Sequence, residues 1–243
     1  EGVAYRLWSR IEDSTRLAHL PAEITQADLC SLALDIASWG TPINELSFLD
    51  VPPAKNLTLA NTTLQMLQLI DDRGVITSLG SAVLGLPLHP RLGTMVARNT
   101  DSPAQGWIAC VLAALLEERD ILRGRPDTLP ADLALRVRLL LDLERHDLAD
   151  RGALHRVRDA ARDIARRSRI SSDTYISADM VDSLCGAVLL SAYPDRLAMR
   201  RSTAGQFVMR EGGAVSCDNK DDIAKEMFIV AADVDSRRGG SRL

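Results

Sequence analysis

Thr25-Gln-Ala-Asp28-Leu29-Cys-Ser-Leu32-Ala-Leu-Asp-Ile36-Ala-Ser-Trp39-Gly40-Thr-Pro42 sets the terms for the rest of the chain. Leu29, Leu32, Ile36 and Trp39 recur at steps of three, four and three, the mark of a helix with one apolar face. Thr25 and Asp28 stand at capping-box spacing ahead of it, and Gly40 and Pro42 supply the stop. Moving outward, Ile43 to Leu49 predicts a short second helix before Pro52-Pro53. Leu57, Ala60, Leu64 and Leu67 predict a third, closed by Gly74. Val75-Ile76-Thr77 is a short extended piece, and a further helical stretch ends at Gly85-Leu86-Pro87. Three helices followed by a small extended wing outline a winged helix over residues 21–100.

Residues 1–20 are expected to be the tail of an upstream unit and a linker, because Glu1 is not Met and Tyr5-Arg6-Leu7-Trp8 reads as a strand end. Beyond residue 100 the pattern is helical to residue 192. Trp107 to Glu118, Ala131 to Leu143, Ala153 to Arg167 and Ala178 to Leu190 each carry a broad apolar face. Gly124, Pro126, Pro130 and Gly152 punctuate them, and such short connections predict an antiparallel bundle. From Tyr193-Pro194 onward the runs 196–201, 206–209 and 227–231 are strand-like, with Gly205 and Gly212-Gly213 as turns. Residues 193–243 are too few for a complete five-stranded barrel, so an incomplete one is expected.

Composition narrows the function. The 243 residues are 46% hydrophobic and 26% charged, enough for a buried core and too apolar for disorder. Aromatics are only 4%, with Leu and Ala filling the apolar positions, which favours helices. Lys and Arg total 29 against 33 Asp and Glu, so any nucleic-acid contact must come from a local patch. No apolar run reaches the ~18–20 residues of a membrane span. Cys30, Cys110, Cys185 and Cys217 form no CxxC pair and read as reduced, mostly buried thiols, which with the absence of a secretory signal predicts a cytoplasmic setting.

Catalytic motifs are missing. There is no GxxxxGK[ST] loop, no GxGxxG, no GxSxG and no HExxH. His146-Asp147 beside Glu144 and Asp150 reads as charges at a helix end rather than a metal cluster, since no second ligand set has matching spacing. Glu117-Glu118-Arg119-Asp120 likewise reads as salt-bridged helix-end charge rather than an acid/base pair. No residue is therefore assigned as catalytic or as a metal ligand.

Residues 151–169 are the exception to the acidic balance, with seven arginines against Asp159 and Asp163. At ~100° per residue, Arg151, His155, Arg158, Arg162, Arg166 and Arg169 fall in one stripe roughly 80° wide, apart from the apolar face of Leu154, Val157, Ala161 and Ile164. Guanidinium groups repeated at turn intervals suit a phosphate backbone. The competing reading is a solvated face, or one paired with acids such as Asp142 and Glu144. A second group, Arg196 and Arg200 on one strand face with Arg201 on the other, matches surfaces used for single strands. Charged edge strands that block aggregation explain it equally well. The third helix of the first unit exposes Lys55, Asn56, Thr58, Asn61, Thr62, Gln65 and Gln68, only one of them cationic, and residues 1–100 hold 7 basic against 10 acidic groups. That unit is expected to pack rather than read duplex DNA.

Several segments, taken in order, resemble DEAH-box RNA helicases: Gly2-Val-Ala-Tyr-Arg-Leu-Trp8, Pro21-Ala-Glu-Ile24, Asp28-Leu29 with Leu34-Asp-Ile-Ala-Ser-Trp-Gly40, Phe48-Leu-Asp-Val-Pro-Pro53, Leu79-Gly80, and Leu86-Pro-Leu-His-Pro-Arg-Leu92. Leu115-Leu-Glu-Glu-Arg-Asp120 and Ala192-Tyr-Pro-Asp-Arg-Leu-Ala198 are similar to the bacterial HrpB-type branch. The resemblance implies a mainly α accessory module: a winged helix, a helical ratchet-like bundle and a partial OB-like β-barrel. It would pack on two RecA-like motor domains that bind ATP and Mg²⁺, and guide single-stranded RNA, with DNA left open, toward duplex opening. The nucleotide loop, the DEAH box and the arginine-bearing motif are absent from this sequence, so hydrolysis is expected elsewhere. In that context the arginine stripe is expected to line a nucleic-acid path, while Arg91 in Pro90-Arg91-Leu92 is expected to serve packing. A stand-alone winged-helix regulator and a protein-interaction scaffold are the alternatives.

Overall fold

The computed structural model describes residues 2–3, 5–16, 19–125, 128–233 and 241–242. No helix among them is long and apolar enough to cross a membrane. Near the start, α1 (Arg10–Thr15) is closed by a reciprocal Ser9/Glu12 capping box. Tyr5-Arg6-Leu7-Trp8, expected as a strand end, pairs with no sheet; Arg6 and the Trp8 indole both donate to the Asp13 carboxylate instead.

The first core gathers Leu29, Leu34, Leu64, Leu67, Leu69 and Val83. Its helices are α2 (Cys30–Trp39), α3 (Ala54–Met66) and α4 (Ser78–Leu84). Four local expectations need correction. The α2 cap is not Thr25, which ends a 3-10 turn; the Asp28 carboxylate accepts from the Cys30 N–H at 2.7 Å. Trp39 is 62% exposed, because the turn that carries it runs past the core. Helix α3 ends at Met66, and Gln68 just beyond it takes the left-handed φ of 59° itself, while Gly74 turns the narrow Ile70–Ile76 bridge expected as a wing. The helix expected over Ile43 to Leu49 shrinks to a 3-10 turn, Ile43–Glu45.

A close approach fixes α4. The Thr77 hydroxyl accepts from the Gly80 N–H, and a Cβ on Gly80 would lie 2.1 Å from the Leu69 carbonyl oxygen. Only glycine lets the helix seat against that backbone.

The second core is larger. Helix α5 (Pro90–Arg98) starts on Pro90 and is capped by His89 Nδ1, yet its Leu92, Met95 and Val96 belong to this core and not to the first. At the centre, α6 (Pro103–Glu117) buries every residue from Gly106 to Leu115, and α7 (Leu133–Leu140), α8 (Arg151–Arg167) and α9 (Ala178–Leu190) pack around it. A helix buried all round needs apolar residues on every face, which Ile-Ala-Cys-Val-Leu-Ala-Ala-Leu-Leu provides. Helix α7 is shorter than the predicted 131–143 span: Asp132 caps it at one end and Asp142 leaves it with φ 58° at the other.

The remaining strands are β1 (Leu197–Arg200), β2 (Gln206–Met209), β3 (Ala214–Ser216), β4 (Phe228–Val230) and β5 (Ser241–Arg242), in spatial order β4-β1-β2-β3-β5. All neighbours are antiparallel except β3 and β5. The described strands form a small open sheet over Ala198, Phe207 and Val215. The four cysteines are free thiols, and burial pushes Cys30, Cys110 and Cys185 up to about 12.

Candidate nucleic-acid interface

Helix α8 begins at Asp150, whose carboxylate accepts from the Gly152 and Ala153 N–H groups and pairs with Arg123 at 2.7 Å. The Arg123 hydrogen bond and those backbone donors hold the Asp150 carboxyl below its usual range. Ala153, Val157, Ala161, Ile164 and Ala165 are buried on the bundle side, leaving the polar side to solvent. There Arg151, His155, Arg162 and Arg166 are exposed, as the stripe requires. Arg162 meets Asp159 at 3.0 Å, Arg166 meets Asp163 at 2.5 Å and His155 meets Asp159 at 3.3 Å. These partners lie on the same helix, not on neighbours. Such exposed pairs are each worth about 0.3–0.5 kcal/mol, weak enough for a phosphate to replace the carboxylate.

Two members of the stripe stand apart. Arg158 is turned inward: its Nε donates to the Leu140 carbonyl at 2.7 Å, and its Nη2 donates to Leu139 at 2.9 Å and to Asp142 at 2.5 Å. It satisfies the last carbonyls of α7 and so belongs to the fold. Arg169 lies past the end of α8, in the left-handed region at φ 58°, so the 100° count no longer places it, although it stays exposed. Conversely, Arg156 and Arg167 are exposed on the other flank of α8. The cationic surface is therefore a broad face rather than a narrow ribbon. A helical wheel gives both flanks; only packing tells which arginine is turned inward.

The second basic group does not assemble as expected. Arg196 is not in a strand; it ends a 3-10 turn, donates to the Ala232 carbonyl and stacks 5.0 Å from the Tyr193 ring. Arg200, in β1, donates to the Lys225 carbonyl. Both guanidinium groups serve local backbone, because the sheet is too small to satisfy its own ends.

Arg91 is where the packing expectation is met. Buried on α5, it forks onto Asp195 at 2.7 and 2.9 Å and donates to the Ala192 carbonyl at 3.0 Å, 5.3 Å from the Tyr193 ring. Burial would raise the Asp195 carboxyl, but the Arg91 bonds and charge outweigh it and hold that group below its ordinary value. Asp120 of the acidic run is balanced in the same way by Arg136, at 2.6 and 3.0 Å.

The His146 cluster is no ligand set, since Glu144 binds Arg138 and Asp150 binds Arg123. Among the described residues, the group with ligand atoms close enough to share an ion is Asp28, Cys30 and His89. His89 Nδ1 accepts from the Arg91 N–H, which leaves the proton on Nε2, the atom facing Asp28 at 3.5 Å. The lone pair a metal would need is absent there. A groove of about 940 Å³ between bundle and sheet is lined by both signs of charge, with Arg91, Arg136 and Arg196 beside Glu118, Asp120 and Asp182.

No family model matches the chain. Over 233 residues, 95% of its length, it is 26% identical to the ATP-dependent RNA helicase HrpB of Escherichia coli K12 and spans 25% of that protein. Over 120 residues, 47% of the chain, it is 29% identical to the pre-mRNA-splicing factor ATP-dependent RNA helicase prp22 of Schizosaccharomyces pombe, of which it spans 10%. Two crystal structures of Escherichia coli HrpB superpose on 97% and 93% of the chain with TM-scores of 0.74 and 0.73, each at 23% identity and each covered to 26%, a likeness of fold. The chain spans about a quarter of the HrpB length that it matches. The resemblance read from the residues stands: along nearly its whole length this chain is similar to a C-terminal portion of HrpB.

Proposed function

We propose that the chain is the C-terminal accessory part of a cytoplasmic, ATP-dependent RNA helicase of HrpB type, which guides a single strand and aids duplex opening. The observation that carries this reading is the match to HrpB over 95% of the chain, set against only 25% of that protein. In the proposed division, residues 1–20 link to a motor domain, 21–100 form a winged helix used for packing, 101–192 a ratchet-like bundle and 193–243 an OB-like unit. ATP and Mg²⁺ do not fit the residues present, because no glycine loop with a following Lys-Ser/Thr cradles phosphate; they are assigned to RecA-like domains outside this chain.

The part assigned to this chain is electrostatic. Arg151, Arg162 and Arg166 are exposed along about 22 Å of α8, with Arg156, Arg167 and Arg169 beside them. Phosphates that replace the Asp159 and Asp163 partners would gain guanidinium hydrogen bonds and release counterions. Arg158 holds the scaffold behind that face, while Arg196 and Arg200 hold backbone at the sheet. A duplex-reading regulator is disfavoured because Lys55 is the one cation among the exposed α3 side chains named above.

The test is fluorescence anisotropy of the whole chain with labelled single-stranded RNA. Binding is expected to be weak and to fall with salt, at a log–log slope of about −0.7 per phosphate neutralised. The triple variant Arg151→Glu, Arg162→Glu, Arg166→Glu should abolish it without unfolding the chain. Unchanged binding in that variant, or ATP hydrolysis by the native chain, would overturn the assignment.

A further inference from the structure

A cavity of about 250 Å³ opens where the basic face of α8 meets residues 172–176. It is small beside the roughly 300–1,000 Å³ of drug-sized sites and has room for no more than one planar base. Trp107, Val157 and Ile176 show only narrow apolar edges at its floor, and Asp142, Arg158, Arg162 and Asp173 make up its charged lining. Trp107 and Val157 come from α6 and α8, so the walls are rigid helix surface rather than loop. Arg162 is exposed and, among the described residues, pairs only with Asp159 of its own helix. The Asp173 N–H donates to the Ser171 hydroxyl, and no described group donates to the Asp173 carboxylate.

From this we infer that the cavity is a nucleobase pocket: one base of a single strand leaves the stack and seats between α8 and the 172–176 segment, while Arg162 holds a flanking phosphate. The inference rests on the RNA-guiding reading above and adds a base preference to it. Single-stranded bases are read on their exposed edges, and guanidinium planes such as those of Arg158 and Arg162 can take a ring face. A carboxylate is an acceptor only, so Asp173 selects an edge that donates. Guanine presents adjacent N–H groups at N1 and N2 and matches it twice. Uracil presents one N–H between two carbonyls, which a carboxylate repels. Guanine is the base assigned to the pocket.

The experiment compares an oligouridylate with the same strand carrying one central guanosine, titrated against the native chain, against Asp173→Asn and against Ser172→Trp, which fills the mouth from the loop. Circular dichroism checks that each variant is folded. The native chain should prefer the guanosine strand about tenfold, within the range of a single stacked base, and both variants should bring the ratio of the two affinities to about one. Equal affinities in the native chain overturn the pocket and leave the phosphate reading intact. A preference that survives both substitutions also overturns it. Absence of salt-sensitive binding to either strand overturns the basic-face reading and the pocket together.

Discussion

Replacing the buried Arg91 of α5 by Ala is expected to be strongly destabilising. The native guanidinium makes two bonds to Asp195 and one to the Ala192 carbonyl, with side chains only 11% and 17% exposed. Removal leaves a carboxylate and a carbonyl desolvated and unanswered. Each charge-assisted bond contributes about 1.5–3 kcal/mol, and breaking one side of a buried pair costs about 3–5 kcal/mol. The partial exposure of Asp195 sets the expectation at the lower end, about 3 kcal/mol. That is a large share of a typical stability of about 5–15 kcal/mol. Urea unfolding of the whole chain reads the loss as a lowered midpoint. Hydrogen exchange should show β1 and β4 amides losing protection before α6, since Asp195 stands between α9 and β1. Arg91→Ala combined with Asp195→Ala should be far less than additive. A single-variant loss below about 1 kcal/mol, or strict additivity, would refute the claim that this pair ties the sheet to the bundle.

Arg158→Ala should cost about 1.5–3 kcal/mol by uncapping α7, while Arg162→Ala stays within about 0.5 kcal/mol; thermal melts of the two variants separate scaffold from surface. Gly80→Ala should cost about 1–3 kcal/mol, because its methyl would enter the Leu69 carbonyl and the backbone must move; calorimetry checks it. Asp120 and Asp195 have carboxyls held below the ordinary value, so the stability they lend is complete above that value and fades as pH falls through the folded one. The melting temperature should accordingly hold above about pH 5 and drop below about pH 4, less steeply in Asp195→Asn.

Helix cores were legible because their apolar spacing survives any packing: α9 runs over the predicted residues, and α6 and α8 differ only at their ends. Helix ends were less legible. Gln68 and Asp142 take left-handed conformations that spacing favours for glycine, so α3 and α7 stop early. Strand β3 is three residues long, too short for alternation to show. In the candidate site, periodicity placed Arg151, Arg162 and Arg166 correctly on the exposed side. It could not show that Arg158 reaches back to α7, because the carbonyls it caps lie eighteen and nineteen residues away in sequence. The cavity beside Arg162 was invisible for the same reason: its walls come from α6, α7, α8 and the 172–176 segment, which only tertiary packing brings together.

Arg91 and Asp195 are 104 residues apart in the chain, with most of the bundle between them. Loop closure over such a distance is best compensated by contacts already in place, so this pair is expected to form late in folding. The helices can collapse around α6 from local contacts while the sheet is still unattached, and the Arg91 fork then clips it down as the closing step. The expected order of assembly therefore runs from the middle of the chain outward, with the β1 and β4 amides the last to gain protection in pulsed hydrogen exchange.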